Sequence, residues 1–206
     1  MKKVLLAVCC ILVHTGLYAA SLAEFQSDWA IANYRLSGEA QIARFEQLDA
    51  KMAETMVATP KDPNLLIWQG IIKSTFAGKV SGFKALGLVK AARKSLEKAI
   101  AIEDHALNGS AYTSLGALYY QVPGWPIAFG SDKKARINLE KALAINPDGI
   151  DSNYFYADFL YQNGELAAAK TALVKAMSAP DRPGRDLADT GRREEIKILM
   201  AKIEAK

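Results

Sequence analysis

Apolar residues recur at helical spacing along most of the chain, and three segments repeat one order of small and large side chains. The three segments are 94–104, 137–149 and 171–183. Within each of them, apolar residues lie three or four positions apart, the spacing that gives an α-helix one apolar face. When Leu96, Leu139 and Leu173 are aligned, an alanine stands four positions before and three positions after each leucine. The chain is therefore predicted to contain repeated helices.

The spacing of the repeats and of the helices before them resembles one known family. Leu139 and Leu173 are 34 residues apart, and the preceding segment 112–119 reads YTSLGALY, with the order aromatic-x2-Leu-Gly-x2-Tyr. Pro147 follows the second repeat helix and is predicted to end it. This pattern resembles the tetratricopeptide repeat (TPR) family, whose unit is a helix–turn–helix of 34 residues. The resemblance implies stacked helix pairs in which small residues allow close approach.

The predicted fold is therefore all-α, a TPR-like α-solenoid of about nine helices. The repeats are clearest in 105–147 and 150–180 and looser in 24–60 and 63–104. After Pro180, Pro183 and Gly184, a last helix over 189–205 is predicted to start at a cap on Asp189 or Thr190. Its apolar residues share one face, which suits a terminal capping helix: Ile196, Leu199, Met200 and Ile203.

The N-terminal residues 1–20 have the layout of a secretory signal peptide. Lys2 and Lys3 precede an apolar run of ten residues, and Ala19 and Ala20 offer a cleavage site. The run is shorter than the roughly 20 residues that cross a bilayer. We expect a periplasmic protein with one domain over 21–206 and no stable membrane insertion. An uncleaved anchor, or a lipid anchor on one of the two cysteines of this segment, is the alternative.

Composition and charge exclude several classes of protein. Half of the residues are hydrophobic and 23% are charged, which fits one globular domain. Without Lys2 and Lys3 the chain has 24 basic and 22 acidic residues, a net charge of +2. A nearly neutral chain gives no sign of nucleic-acid binding.

Two of the predicted units have extra residues between their helices. The small residue of the first helix and the first alanine of the second are 12 positions apart in the last unit, from Ala157 to Ala169. The corresponding distance is 19 positions in the unit before it and 22 in the unit before that. The excess of seven lies in 119–135, and the excess of ten is predicted to form a loop in 77–87.

Both insertions are predicted to lie side by side along one rim of the solenoid. Their large apolar residues are Phe83, Leu86, Trp125 and Phe129. Insertions in repeat proteins often map to a binding face. The alternative is that these aromatic side chains fill the gap between helices.

Two further sets of residues are candidates for binding. The resemblance implies a peptide-binding groove on the inner face of the first helices. The positions concerned are Thr113, Ala117, Tyr120, Gln121, Tyr154, Asp158, Tyr161 and Gln162. The second set is an arginine cluster able to hold an anion, and its members are Arg182, Arg185, Arg192 and Arg193. The alternatives are half-exposed helix residues for the first set and an ion-paired loop for the second.

The sequence gives no sign of catalysis. His105 is the only histidine after the signal peptide, and no cysteine follows Cys10, so no usual zinc or haem spacing is present. Neither a nucleophile elbow nor a phosphate-binding loop occurs. We predict a protein that is not an enzyme, with no cofactor and no metal.

Two functions follow as expectations. The first is a non-catalytic periplasmic scaffold or adaptor that binds a protein or peptide partner in the cell envelope. The second is a carrier of a small apolar ligand, or an accessory subunit of a transport system. The stretch VPGWPIAFGSDKKA (122–135) is similar to the corresponding connection in the T components of TRAP transporters. An enclosed cavity favours the carrier, whereas an open groove lined by Tyr120, Tyr154 and Tyr161 favours the adaptor.

Overall fold

A computed structural model of the protein describes residues 22–205, and the predicted signal peptide lies outside this range. The described chain forms nine α-helices and no β-strand. The first, α1, includes 22–34. The others are α2 (Gly38–Ala58), α3 (Pro63–Ala77), α4 (Gly82–Ile102), α5 (Ala106–Gln121), α6 (Asp132–Ile145), α7 (Ile150–Gln162), α8 (Leu166–Met177) and α9 (Asp186–Glu204).

Local sequence explains where several of these helices start and stop. Asp62 caps α3, since its side chain accepts a hydrogen bond from the backbone N–H of Leu65 at 2.9 Å, with Pro63 in the first turn. Ser131 caps α6 in the same way. Gly164 adopts φ 78° between α7 and α8, a left-handed conformation in which glycine is least strained.

Successive helices pack against each other, and the helices fall into two sets that differ in their further contacts. The most extensive contacts are between α3 and α4, between α5 and α6, and between α7 and α8. Helices α3, α5, α7 and α9 also contact one another in that order. By contrast, α4, α6 and α8 pack mainly against the helices directly before and after them in the chain, and α4 also reaches α2 through the ion pair of Lys84 with Glu46. The first members of the pairs therefore form one continuous layer.

Glycine lets the helices of two pairs approach closely. A Cβ on Gly70 would lie 2.6 Å from Cγ of Leu96, and a Cβ on Gly116 would lie 2.6 Å from Cγ of Leu139. Both leucines are fully buried. In the α7–α8 pair, Ala157 is the aligned small residue and is also fully buried. Contacts this close require a small side chain on the first helix of each pair.

The predicted loop over 77–87 is wrong. Helix α3 ends at Ala77 and α4 already begins at Gly82, so the turn comprises only 78–81. The extra residues lengthen the second helix because Phe83–Lys94 contains good helix formers and no proline. Phe83 is therefore an exposed residue in the first turn of α4 and Leu86 lies one turn later, so the two predicted insertions differ in structure.

The predicted start of the last helix is also wrong. Helix α9 begins at Asp186, and neither Asp189 nor Thr190 caps it. Asp189 is only 2% exposed and accepts hydrogen bonds from the backbone N–H and the guanidinium group of Arg182. This ion pair on the loop side lets the helix start one turn earlier.

Helix α9 packs on both ends of the helical array. Ile196 and Leu199 pack against α7 and α8. At its other end, Ala188 lies in the same buried cluster as Phe25 and Trp29 of α1. Gly191 faces the ring of Tyr34, and a Cβ there would lie 2.4 Å from Cδ1 of that ring. The first and last helices of the described chain are therefore in contact.

Candidate functional site

The contact between α1 and α9 leaves a cavity of about 520 Å³ inside the array. Its walls come from α1, α3, α5, α7 and α9, together with Arg182 and Arg185 of the segment before α9. These are the helices of the continuous layer, with α1 as an additional wall. The cavity thus combines residues from nearly the whole described chain.

Two tryptophans form an apolar wall of the cavity. Trp29 and Trp68 are almost fully buried and lie edge to face, with ring centroids 5.9 Å apart. The indole N–H of Trp29 donates to Oγ1 of Thr75 at 3.0 Å. Because this donor is already bonded, Trp29 offers mainly apolar surface to the cavity. Ile71 and Phe155 add to that surface.

An ion-pair network lines another part of the cavity. Asp151 accepts from Nη1 of Arg182 at 2.7 Å and from Nε of Arg192 at 2.8 Å. Arg182 also binds Asp189, and Arg192 also binds Glu195. Burial alone raises the pKa of a carboxyl group, yet the charges of Arg192 and Arg182 outweigh it and hold the pKa of Asp151 well below its usual value. Arg182 and Arg192 are therefore occupied by acids.

Arg192 is further fixed by two aromatic rings. Its guanidinium lies 4.4 Å from the ring centroid of Tyr154 and 4.6 Å from that of Phe155. Burial, only partly offset by the positive charge of Arg192, raises the pKa of Tyr154 to about 12. Tyr154 therefore faces the cavity as a neutral phenol at physiological pH.

Arg185 has a different environment. Its guanidinium lies 5.0 Å from the ring centroid of Trp68, and it lines the cavity. Its Nε atom is buried and has no hydrogen-bond partner within 22–205. Burial and the nearby charge of Arg182 lower the pKa of Arg185. Arg185 is thus a cavity cation without the direct acid partners that Arg182 and Arg192 have.

The start of α5 has an unusual backbone where it meets the cavity. Leu107, Asn108 and Gly109 have φ of 47°, 53° and 72°. The left-handed region is costly for leucine, by roughly 1–2 kcal/mol. Leu107 and Asn108 both line the cavity. The surrounding packing, including Ile145 against Gly109, holds this turn in place.

The residues of the predicted groove separate into two groups. Thr113, Ala117, Gln121 and Tyr154 line the cavity. The other four lie outside its lining: Tyr120, Asp158, Tyr161 and Gln162. The structure thus brings only half of this set to the cavity.

Tyr120 instead belongs to a hydrogen-bonded group. Its hydroxyl donates to Oδ2 of Asp158 at 2.7 Å, and the same oxygen accepts from the amide of Gln162 at 3.2 Å. Burial and then the charge of Asp158 raise the pKa of Tyr120 well above its usual value. Gln121 donates to the Tyr120 hydroxyl at 3.2 Å. These residues connect α5 to α7.

The predicted insertion in 119–135 is an ordered loop between α5 and α6. The backbone N–H of Gly130 donates to Pro123 at 2.9 Å, and that of Ser131 donates to Tyr119 at 2.7 Å. The Trp125–Pro126 peptide bond is cis. A Cβ on Gly130 would lie 2.1 Å from the carbonyl oxygen of Val122, so only glycine fits there.

The two aromatic residues of this loop have opposite environments. Phe129 is half-buried, with its ring edge to face with Tyr119 at 5.7 Å and the Arg93 guanidinium 4.7 Å from its centroid. Trp125 is 89% exposed, and Ile127 is 62% exposed. Phe129 therefore attaches the loop to α4 and α5, whereas Trp125 projects from it. Neither residue lines the cavity.

The sequence analysis does not name most of the residues that line the cavity. Trp29, Trp68 and Lys79 are among those it leaves out. A signal was present for the tryptophans, since both lie on predicted first helices, the layer that forms the inner surface of a stacked array.

Comparisons with known proteins do not place the chain in a family. No protein-family model matches the chain, and no curated protein is significantly similar to it. Within residues 22–205 no three potential metal-ligating side chains come together. In the same range, no helix has both the length and the apolar character needed to cross a membrane.

Proposed function

We propose that the protein is a non-catalytic, TPR-like solenoid that carries a small ligand in the cavity between its first-layer helices. The observation that carries this proposal is the cavity itself. Its volume of about 520 Å³ falls within the range of small-molecule sites. It also combines an apolar wall of tryptophan with a few polar groups, as such sites do.

The helix packing supports the TPR-like part of the proposal. The glycine-to-leucine contacts recur at equivalent positions of two successive helix pairs, and the first helices contact one another in order. Stacked repeats bury their apolar faces against their neighbours in this manner. Helix α1, through its contact with α9, adds a further wall to the inner surface of the array, where the cavity lies.

A neutral fluorescent probe tests the cavity without any assumption about charge. We expect the purified protein to bind the uncharged dye N-phenyl-1-naphthylamine with one site per chain and an increase in dye emission. Ser114 lines the cavity on α5, so Ser114→Phe should fill it and weaken binding at least tenfold. Thr171 is exposed on α8 outside the lining, and Thr171→Phe is the matched control. Absence of dye binding, or equal binding by both variants, contradicts the proposal.

A second candidate function is an adaptor that contacts an envelope protein through the 122–131 loop. The observation that favours it is the projecting pair Trp125 and Ile127 on an otherwise well-bonded loop. Crosslinking from periplasmic extract tests it. A specific crosslinked partner should disappear with Trp125→Ala and persist with Val57→Ala, a control at another exposed apolar residue. A partner list unchanged by Trp125→Ala refutes the adaptor.

We also propose export to the periplasm, on the layout of residues 1–20. Fractionation followed by N-terminal sequencing tests this directly. The mature chain should begin after Ala19 or Ala20 and appear in the periplasmic fraction. Recovery of an intact Met1 in the cytoplasmic or membrane fraction contradicts it.

A further inference from the structure

Charge is distributed unevenly within the lining of the cavity. Four lining side chains are cationic and two are acidic; they are Lys79, Arg182, Arg185 and Arg192, with Asp151 and Glu195. Asp189 stands behind the lining as a third acid and binds Arg182. All three acids are therefore used by Arg182 and Arg192. The four cations and three acids together leave a net charge of +1, and the two cations without an acid partner among residues 22–205 are Lys79 and Arg185.

Arg185 is the better defined of these two cations. Its side chain lies against the face of Trp68, which fixes the plane of the guanidinium beside the apolar wall. No acid of the described chain lies within ion-pair distance of it. Its buried Nε lacks a hydrogen-bond acceptor, and leaving a buried donor unpaired is costly. Because that atom is enclosed by protein, a ligand in the cavity reaches Arg185 at its terminal nitrogens.

We propose that the ligand is a small organic acid, whose carboxylate binds Arg185 and whose apolar body packs against Trp68 and Trp29. This inference rests on the proposed carrier function. A carboxylate accepts two parallel hydrogen bonds from the two terminal nitrogens of a guanidinium. The apolar body then lies on the tryptophan wall next to it. Lys79, which also lines the cavity and has no acid partner among residues 22–205, adds to the positive potential.

The neighbouring Arg182 and Arg192 also line the cavity, but they offer no second binding site for an anion. Arg182 donates hydrogen bonds from Nε and both terminal nitrogens to Asp151 and Asp189. Arg192 donates from Nε to Asp151 and from Nη1 to Glu195, and its guanidinium lies beside the rings of Tyr154 and Phe155. An anion at either of them would have to displace an acid that is already bonded. The selectivity for an acid therefore depends on Arg185.

A matched pair of probes tests the inference. The ligands are 2-naphthoate and 2-naphthamide, which have the same ring system and nearly the same shape but differ in charge. Binding is measured by calorimetry at fixed salt. Because a charge-assisted bidentate contact is lost in the amide, the wild type should bind naphthoate about tenfold to a hundredfold more tightly. Arg185→Met should abolish this preference, and the neutral dye N-phenyl-1-naphthylamine reports whether the variant still forms the cavity.

Arg193→Met is the matched control. Arg193 lies outside the cavity lining, pairs with the exposed Asp181 and donates to the carbonyl of Ala179. This variant removes one arginine from the same region and should keep the preference for naphthoate. Binding of the neutral dye also shows that each variant is folded.

The outcomes separate the two proposals. If the neutral dye fails to bind the wild type, the carrier function is refuted together with the inference. If the dye binds but naphthoate and naphthamide bind equally, or the preference survives Arg185→Met, the carrier stands and the acid assignment is refuted. If a short peptide with a C-terminal phenylalanine carboxylate binds more tightly than naphthoate, the ligand is a peptide terminus and the small-acid assignment is wrong.

Discussion

Trp125→Ala and Phe129→Ala should have very different effects on the stability of the protein, although the two residues lie four positions apart in one loop. Trp125 is 89% exposed, so its truncation removes few contacts. Phe129 contacts Tyr119 edge to face and lies under the Arg93 guanidinium. The comparison tests whether the side chain of Phe129, and not that of Trp125, attaches the loop to the helices.

The magnitudes follow from burial. Truncating a fully buried phenylalanine to alanine costs about 3–5 kcal/mol. Phe129 is half-buried, so we expect a loss of about 2 kcal/mol in the free energy of unfolding, which includes its contacts with Tyr119 and Arg93. An exposed substitution such as Trp125→Ala should change this free energy by no more than about 0.5 kcal/mol. In a domain of this size, 1 kcal/mol corresponds to about 2–4 °C in Tm.

Urea denaturation followed by circular dichroism measures both differences. Tryptophan emission gives a second readout, because Trp125 is the one exposed tryptophan of the three in the chain. Its removal should shift the mean emission of the folded protein to shorter wavelength, whereas Phe129→Ala should leave the buried Trp29 and Trp68 unaffected. Equal destabilisation by the two variants would falsify the assignment of Phe129 as the attachment point.

Two further predictions concern helix packing and the ion-pair network. Gly116→Ala should destabilise the fold by about 1–3 kcal/mol, because the added methyl group would lie 2.6 Å from the Leu139 side chain. A Cβ on Gly87 would have no atom within 4 Å, so Gly87→Ala should instead stabilise α4 by about 0.5–1 kcal/mol. Asp151→Asn should cost about 2 kcal/mol, less than a fully buried pair because the Asp151 side chain is 33% exposed. Because the folded-state pKa of Asp151 is lowered, its stabilisation is complete above the unfolded pKa of about 4 and is lost as the pH falls through the folded value.

Denaturation curves at several pH values check these predictions. The gap between wild type and Asp151→Asn should be full at pH 7 and should narrow below about pH 4. A gap that does not change with pH would show that Asp151 is not held ionised by Arg182 and Arg192. For the glycine pair, a stabilising Gly116→Ala would show that α5 and α6 are less closely packed than the structure has them.

Much of the helical architecture could be predicted from the sequence because it depends on local spacing. The spacing of apolar residues at the helical period predicts that Leu96, Leu139 and Leu173 face the core, and all three are fully buried. Pro63 and Asp62 mark the start of α3 through backbone geometry and a side-chain cap. The error at Gly82 has a local origin as well. The excess in repeat spacing predicts a loop over 77–87, whereas the helix propensity of the residues after Gly82 is high enough for them to form the start of α4.

The candidate site was only partly predictable. Tyr154, Gln121, Arg182 and Arg185 were named from the sequence and line the cavity, since a repeat assigns them to one face or one segment. The roles of the arginines did not follow from their order in the chain. Which of them pairs with Asp151 depends on how α7, α9 and the preceding segment approach one another.

The sequence by itself determined the helices, their apolar faces and the pairs they form, because each of these depends on residues within a few turns of one another. The tertiary structure alone decided that α1 meets α9, with Tyr34 against Gly191. In stacked repeats such a contact depends on the small rotation between successive helix pairs, summed along the array, which the local spacing of residues does not reveal. The cavity, its wall of Trp29 and Trp68, and the position of Arg185 in it depend on that long-range contact.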